Sequence, residues 1–253
     1  MLRAGNKIMS IFRSIIKKSF VLSGSSAVIR RHQGDFGTAQ YHLLRRDVFE
    51  RLGIDVVIDV GANSGQYGSE LRRFFKEKII SFEPTSSAFK MLERSAKGDP
   101  SWKVEKLALG SKEAKQMINV ACHSVFSSFL ELSEYASVRF GNQSIATTKE
   151  EVYVCRLDDI LPTLLPEWRT KKIFLKMDTQ GFDLEVFKGA KGVLDRVMAL
   201  QTEVSVMPIY EGMPHWTESI SYIEKYGFTV AGLFAVNIDE NKVIEFDCLM
   251  VRG

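Results

Sequence analysis

The run Val56-Val57-Ile58-Asp59-Val60, followed by Gly61, Gly65 and Gly68, constrains this chain more than any other feature. A short, mostly β-branched run predicts a strand buried on both faces, which belongs in a parallel sheet covered by helices. The glycines predict a sharp turn into a helix, where the backbone comes close to a ligand. From Asp55 onward, short β-branched runs alternate with helical patterns, the rhythm of an α/β fold. Strands are expected near Asp55–Val60, Lys78–Phe82, Lys103–Leu107, Lys172–Asp178, Val197–Val206, Phe228–Leu233 and Val243–Val251. Helices are expected near Gly65–Phe75, Ser86–Ala96, Asp183–Leu194 and Thr217–Tyr226, which gives a mostly parallel seven-stranded sheet with helices on both faces. Residues 110–156 break the rhythm with strand-like pieces at Gln116–Ala121 and Val152–Arg156. They read as an insertion at the carboxyl edge of the sheet, where insertions shape acceptor sites.

The chemistry of the glycine loop follows from what surrounds it. Its spacing is GxxxGxxG, neither the GxGxxG of a dinucleotide site nor the GxxxxGK[ST] of a phosphate loop, so a nicotinamide-dependent reductase is a poor match. Asp59 would repel a phosphate and would suit the ammonium of an amino-acid-like ligand. Glu83, in Ser81-Phe82-Glu83-Pro84 and 24 positions after Asp59, ends the second strand, where a carboxylate takes both hydroxyls of an unphosphorylated ribose. A ligand with a ribose, a cationic amino acid and no phosphate is S-adenosylmethionine. A lone glycine loop would be as readily structural; Asp59 and Glu83 tip the balance. Farther along, Phe174–Asp178 reads as a buried strand ending on Asp178, at the edge where open α/β sheets bind ligands. The plainer role for Asp178 or Asp183 is to cap the helix that follows.

Charge excludes one class of partner and marks out one segment. The chain carries 34 basic and 31 acidic residues, a formal +3, so no chain-wide field points to nucleic acid. Met1–Asp35 holds seven basic residues and one acidic, a surplus of six, which leaves −3 for the rest. Within that basic end Ile8, Ile11, Phe12, Ile15 and Ile16 follow helical spacing, which predicts a basic amphipathic helix over Ile8–Lys18. Such a helix suits an anionic membrane surface, a partner, or the cap of its own domain. Ser23–Gly37 reads as a linker and Thr38–Leu52 as a helix stopped by Gly53, so residues 1–37 are expected to precede a domain of residues 38–253. No run of 18 apolar residues exists, so a cytoplasmic protein is expected, with peripheral contact to the inner face of a membrane through Ile8–Lys18. Cys122, Cys155 and Cys248 lack disulfide or zinc spacing and read as core or partly buried thiols.

The motifs VIDVGANSGQYG, SFEP, KLALGS, CRLDDIL, FLKMDTQGFDLEVFKGA, QTEVSVMPIYEG and FDCLMVRG, in that order, resemble the FkbM family of class I methyltransferases over residues 55–253. The resemblance implies a Rossmann-like sheet with an antiparallel last strand pair, S-adenosylmethionine as methyl donor, and a hydroxyl acceptor on a sugar, glycan or secondary metabolite. Carried over by position, Asp59, Gly61, Ala62, Asn63, Gly65 and Glu83 line the cofactor, and Asp178 stands between cofactor and acceptor. The chain departs from the common pattern at Asp183, where a glutamate is usual, and at Pro84-Thr85. The third-strand segment WKVEKLALG offers no Asp for the adenine amine.

A sugar hydroxyl is a poor nucleophile until its proton is accepted, so a base is needed. The candidates are Asp178, Glu203 and His215, with His123 in the insertion. Asp178 with Glu203 could hold a divalent cation through oxygen ligands, but no HxxxH or clustered carboxylate spacing points to a metal. Trp168, Tyr210 and Trp216 are candidates to stack on a sugar face, and Ser127-Ser128 to touch the acceptor or the cofactor carboxylate, against the plainer roles of core and turn. The opposing reading is a non-catalytic binding module on a methyltransferase fold, recruited by its N-terminal helix.

Overall fold

Strand β1 (Val56–Val60) lies in the interior of a seven-stranded sheet in a computed structural model that describes residues 26–141 and 146–253. The expected helix Ile8–Lys18 lies outside the described residues. On one side β1 pairs in parallel with β2 (Lys78–Phe82), and β2 with β3 (Trp102–Glu105). On the other side it pairs with β7 (Ile173–Met177), followed by β8 (Val197–Ser205), β10 (Lys242–Arg252) and β9 (Phe228–Asp239). Strand β10 runs antiparallel to both β8 and β9, and the other strands share one direction. The order β3-β2-β1-β7-β8-β10-β9 makes the chain leave β1 toward one edge and return on its other side at β7. A crevice opens at such a switch point, at the carboxyl ends of the strands.

The two faces are covered by different helices because alternate residues of each strand point opposite ways. Val57, Ile79, Phe174, Ala199 and Leu249 pack with residues of α1 (Ser26–Leu52), α2 (Gln66–Leu71) and α3 (Ser86–Ala96). Ile58, Ile80, Leu175, Leu200 and Met250 pack with α5 (Leu157–Leu164), α6 (Asp183–Lys188) and α7 (Trp216–Glu224). Among the described residues no helix is long and apolar enough to cross a membrane.

Two expectations are corrected, that of a linker after Ser23 and that of a core or partly buried Cys122. The stretch foreseen as a linker is helical from Ser26 onward, because helix propagation adds a hydrogen bond per residue and absorbs Gly34 and Gly37 at about 1 kcal/mol each. The chain divides at Gln40/Tyr41, with Met1–Gln40 one unit and Tyr41–Gly253 the other. Cys122 is exposed, whereas Cys155 and Cys248 are buried, all three as free thiols. The insertion forms its own sheet, in which β6 (Ala146–Cys155) pairs with β4 (Ala108–Leu109) and β5 (Ala114–Ala121); α4 (Glu134–Phe140) lies in the β5–β6 connection.

Candidate active site

Strand register lays the site out in two rows across the sheet. Val60 lies opposite Phe82 on one side and Met177 on the other, and Met177 lies opposite Thr202. The next position of each strand therefore brings Glu83, Gly61, Asp178 and Glu203 into one row, which Asp247 extends as the partner of Glu203. These five residues line a cavity of about 390 Å³ at the carboxyl ends of the strands. Two positions earlier on the same face, Ser81, Asp59, Lys176 and Gln201 form a second, buried polar row.

Ser81, Asp59 and Lys176 of the buried row form one connected system. Trp102 Nε1 donates to Ser81 Oγ at 3.0 Å, and Ser81 Oγ donates to Asp59 Oδ2 at 2.9 Å. Lys176 Nζ lies 3.3 Å from Asp59 Oδ1 and 3.3 Å from Asp178 Oδ2, and donates to the Gly61 carbonyl at 3.2 Å. Burial opposes a charge on Lys176, but Asp178 and Asp59 outweigh it and raise its pKa above the ordinary lysine range. A lysine has three N–H donors, and three acceptors surround this one. Asp59 is fully buried and absent from the cavity lining; its counter-charge is Lys176, although the 3.3 Å approach leaves Oδ1 without a hydrogen bond. Lys176 was missed in the sequence. The signal was a lone lysine inside the apolar run Ile173–Met177, where a charge requires partners.

Glu83 is buried at the cavity wall. Its Oε2 accepts Asn63 N–H at 3.0 Å, and its Oε1 accepts the Thr85 backbone N–H at 2.9 Å and Thr85 Oγ–H at 2.6 Å. Burial raises its pKa, and the bonds from Thr85 and Asn63 oppose the rise. Of roughly four acceptor sites on a carboxylate, three are filled by the protein. One is left for a hydroxyl, rather than the two foreseen.

The glycines answer to the protein's own packing. A Cβ on Gly61 would lie 1.9 Å from the Asp178 carbonyl oxygen, and one on Gly68 would lie 2.2 Å from the Trp102 ring. Close approach is indeed what these positions require, but the approaching atoms are the next strand's backbone and an indole. Gly61 and Ala62 line the cavity with Asn63, whose Oδ1 accepts Ser124 Oγ–H at 3.0 Å; Gly65 is not among the lining residues.

At the opposite end the lining is acidic. Gln180 Nε2 donates to Asp178 Oδ1 and to Glu203 Oε2, each at 3.0 Å. Burial pushes the Glu203 carboxyl well above the usual range, and Glu245 and Asp178 add repulsion. Asp247 is moved by burial and by Asp178 to about 6, against the bond it accepts from Gln201 Nε2 at 3.0 Å. Tyr41, Tyr67 and Glu70 complete this end of the wall. Behind them the fully buried Arg45 guanidinium lies 4.7 Å from the Tyr41 ring and 5.0 Å from the Tyr67 ring, and pairs with Glu70. At the β2–β3 edge the lining is apolar instead, with Leu107, Leu109, Ile118 and Phe129.

Other candidates lie elsewhere or have structural work. His215 is the N-cap of α7, with Nδ1 2.7 Å from Thr217 Oγ1 and a capping box closed by Glu218, and it does not line the cavity. His123 is exposed. Asp183 does not cap a helix: it accepts Thr179 N–H at 2.6 Å, Thr202 Oγ–H at 2.9 Å and Glu203 N–H at 3.0 Å, tying the loop after β7 to β8. Ser127 lines the cavity, and Ser128 Oγ donates to the Gln180 carbonyl at 2.7 Å. Trp168 is buried in the core. Among the described residues no group of three or more His, Cys, Asp or Glu side chains is arranged to hold a metal ion.

The family model described as "Methyltransferase FkbM domain" matches residues 59–230. Among solved structures the chain is similar to magnesium protoporphyrin IX methyltransferase from Synechocystis PCC 6803 with bound SAM, at 9% identity and a TM-score of 0.46, covering 94% of this chain and 89% of that one. It is also similar to a putative S-adenosylmethionine dependent methyltransferase from Listeria monocytogenes, at 9% identity and a TM-score of 0.48, covering 86% and 98%. A third similar structure is an rRNA methylase from Streptococcus thermophilus, at 10% identity and a TM-score of 0.45, covering 84% and 96%. No curated protein sequence matches the chain.

Proposed function

Because the chain belongs to the FkbM family of S-adenosylmethionine-dependent methyltransferases, we propose that it methylates a hydroxyl oxygen on a small sugar, glycan or secondary metabolite. The observation that carries this reading is the row across the strand ends, with a nearly saturated Glu83 on one side of Gly61 and the Asp178–Glu203 pair on the other. S-adenosylmethionine supplies an electrophilic methyl group on a sulfonium, transferred by in-line displacement.

The residues present fit that cofactor. Glu83 offers its remaining acceptor site to a ribose hydroxyl, held rigidly because the protein fills the other sites. The apolar edge of Leu107, Leu109, Ile118 and Phe129 suits a purine face, which accounts for the lack of an aspartate in the third-strand segment. Gly61, Ala62 and Asn63 bring backbone close to the ligand. Asp59 acts from beneath, as the anchor of Lys176 and part of the local negative field.

Asp178 and Glu203 are the groups for the acceptor's proton. A base works best when its pKa lies near the working pH, and the upward shift of Glu203 moves it in that direction. Carboxylates and tyrosines recognise hydroxyl-rich molecules, whereas a nucleic acid's phosphates would meet Glu70, Asp178, Glu203 and Asp247 as like charges.

Calorimetry with S-adenosylhomocysteine tests the cofactor half. The parent chain binds, and Glu83→Ala weakens binding by about tenfold, the worth of one charge-assisted hydrogen bond. Equal affinity in the two proteins would remove Glu83 from the ribose. Methyl-labelled S-adenosylmethionine supplied with hydroxylated acceptors tests the other half by mass spectrometry. Label found only on nitrogen or carbon would overturn O-methylation.

A further inference from the structure

Gln180 is held at four points. Its backbone lies in the left-handed region at φ 53°, which a side chain other than glycine rarely adopts and which persists only where surroundings enforce it. Ser128 Oγ, from the insertion, donates to its carbonyl at 2.7 Å, and Tyr210 OH donates to its Oε1 at 2.9 Å. Ser128 and Tyr210 are both 1% exposed, so neither donor can exchange these bonds for water without opening the wall. The Nε2 group spends its two hydrogens on Asp178 Oδ1 and Glu203 Oε2. The opposite amide orientation would point Oε1 at two carboxylates and the donors at the Tyr210 hydroxyl.

We infer that Gln180 is a positioning residue, whose amide, oriented by Tyr210, joins Asp178 and Glu203 into one unit that receives a single proton from the acceptor. The inference rests on the hydroxyl-acceptor reading and adds to it the device that arranges the base. Atoms and charge balance: the acceptor O–H gives its proton to one carboxylate as its oxygen bonds to the methyl carbon, the methyl carbon–sulfur bond breaks with its electron pair left on sulfur as a neutral thioether, and the bridging amide keeps both of its own protons. Donors to a carboxylate favour its ionised form and hold its pKa down. The charged and titratable groups that act on Glu203 are Asp178 just after β7, which Lys176 of β7 pairs with, Asp183 on α6, Glu245 and Asp247 on β10, and Tyr210 after β8. Among these groups, Gln180 contributes the neutral N–H donors that bridge the two carboxylates.

The test follows carboxyl carbons by NMR in full-length protein with labelled aspartate and glutamate, the Glu203 signal identified by its loss in Glu203→Gln. Gln180→Leu moves the Glu203 titration upward by about half a pH unit or more, because two donors to the pair are lost. Tyr210→Phe keeps the ring, frees the amide to turn, and moves it the same way by less. The reading is overturned if both variants, shown to be folded by an unchanged far-ultraviolet circular dichroism spectrum and a cooperative urea transition, titrate as the parent does. Should Gln180→Leu fail to fold, Tyr210→Phe decides alone. No acceptor enters this experiment, so a failed search for a methylated hydroxyl is distinguishable from a failed bridge.

Discussion

Asp247 illustrates how a single residue can hold fold and site in tension. It sits opposite Glu203 on β10, takes a hydrogen bond from Gln201, and has its pKa moved by burial and Asp178 from the ordinary 3.8 to about 6. A carboxyl whose pKa is raised by folding binds its proton more tightly in the folded state. Its unfavourable contribution is absent below about 3.8, grows as pH rises toward about 6, and stays constant above that. Asp247→Asn keeps the acceptor for Gln201 and removes the charge. The variant is expected to be more stable than the parent at pH 7.5 by roughly 1–2 kcal/mol, after allowing for partial exposure. Urea unfolding at stepped pH checks this: the gap should close on approaching pH 4, and a gap constant with pH would place its origin elsewhere.

Element packing explains why three glycines follow β1. Gly68 is in α2, and its missing side chain makes room for Trp102 of β3, the residue whose Nε1 begins the bonds through Ser81 to Asp59. The indole cannot retreat from a new methyl group without loosening that chain. Gly68→Ala should therefore cost about 1–3 kcal/mol, the range for overpacking a filled core. Thermal or urea unfolding measures the loss directly, and a variant as stable as the parent would show that the indole has free space after all. The insertion likewise serves more than the acceptor edge foreseen for it, since Ser124 reaches Asn63 and Ser128 reaches Gln180. Both ends of the cavity are thus tied to the insertion, through the β5–β6 connection. That link was illegible in the sequence, because a serine hydroxyl pairing across 52 or 61 residues leaves no periodic trace.

Across the whole molecule, the strand order turns local patterns into a site. All cavity-lining residues among those described come from Tyr41 onward. Deleting residues 1–18 is therefore expected to leave S-adenosylhomocysteine affinity within about twofold, roughly 0.4 kcal/mol. Calorimetry on the truncated chain measures it; a large loss would make the basic segment part of binding rather than the peripheral anchor it was expected to be. The division into strands and helices was readable because buried runs such as Val56–Val60 and Ile173–Met177 carry their own period and propensity. Helix Ser86–Ala96 emerged with the expected bounds. Asp178 and Glu83 could be read as site candidates because a carboxylate at a strand's end stands out, and Glu203 because a carboxylate among the apolar residues of a strand does. Lys176, Gln180, Arg45 and Asp247 could not, since each takes its meaning from a partner on another element. His215 shows the converse: a histidine in a promising loop whose ring and backbone are accounted for by a helix cap. What the sequence determined by itself is the class of fold, the carboxyl edge of the sheet where the cavity opens, and, through its family motifs, the cofactor, because these depend on hydrophobic period and on local runs of residues. Only the tertiary structure decided that Asp59 faces a lysine below the cavity, that the glycines clear room for protein rather than ligand, and that Gln180 joins two carboxylates. The physical reason is register, since which residues meet across neighbouring strands is set by how the strands align, and no single strand encodes that alignment.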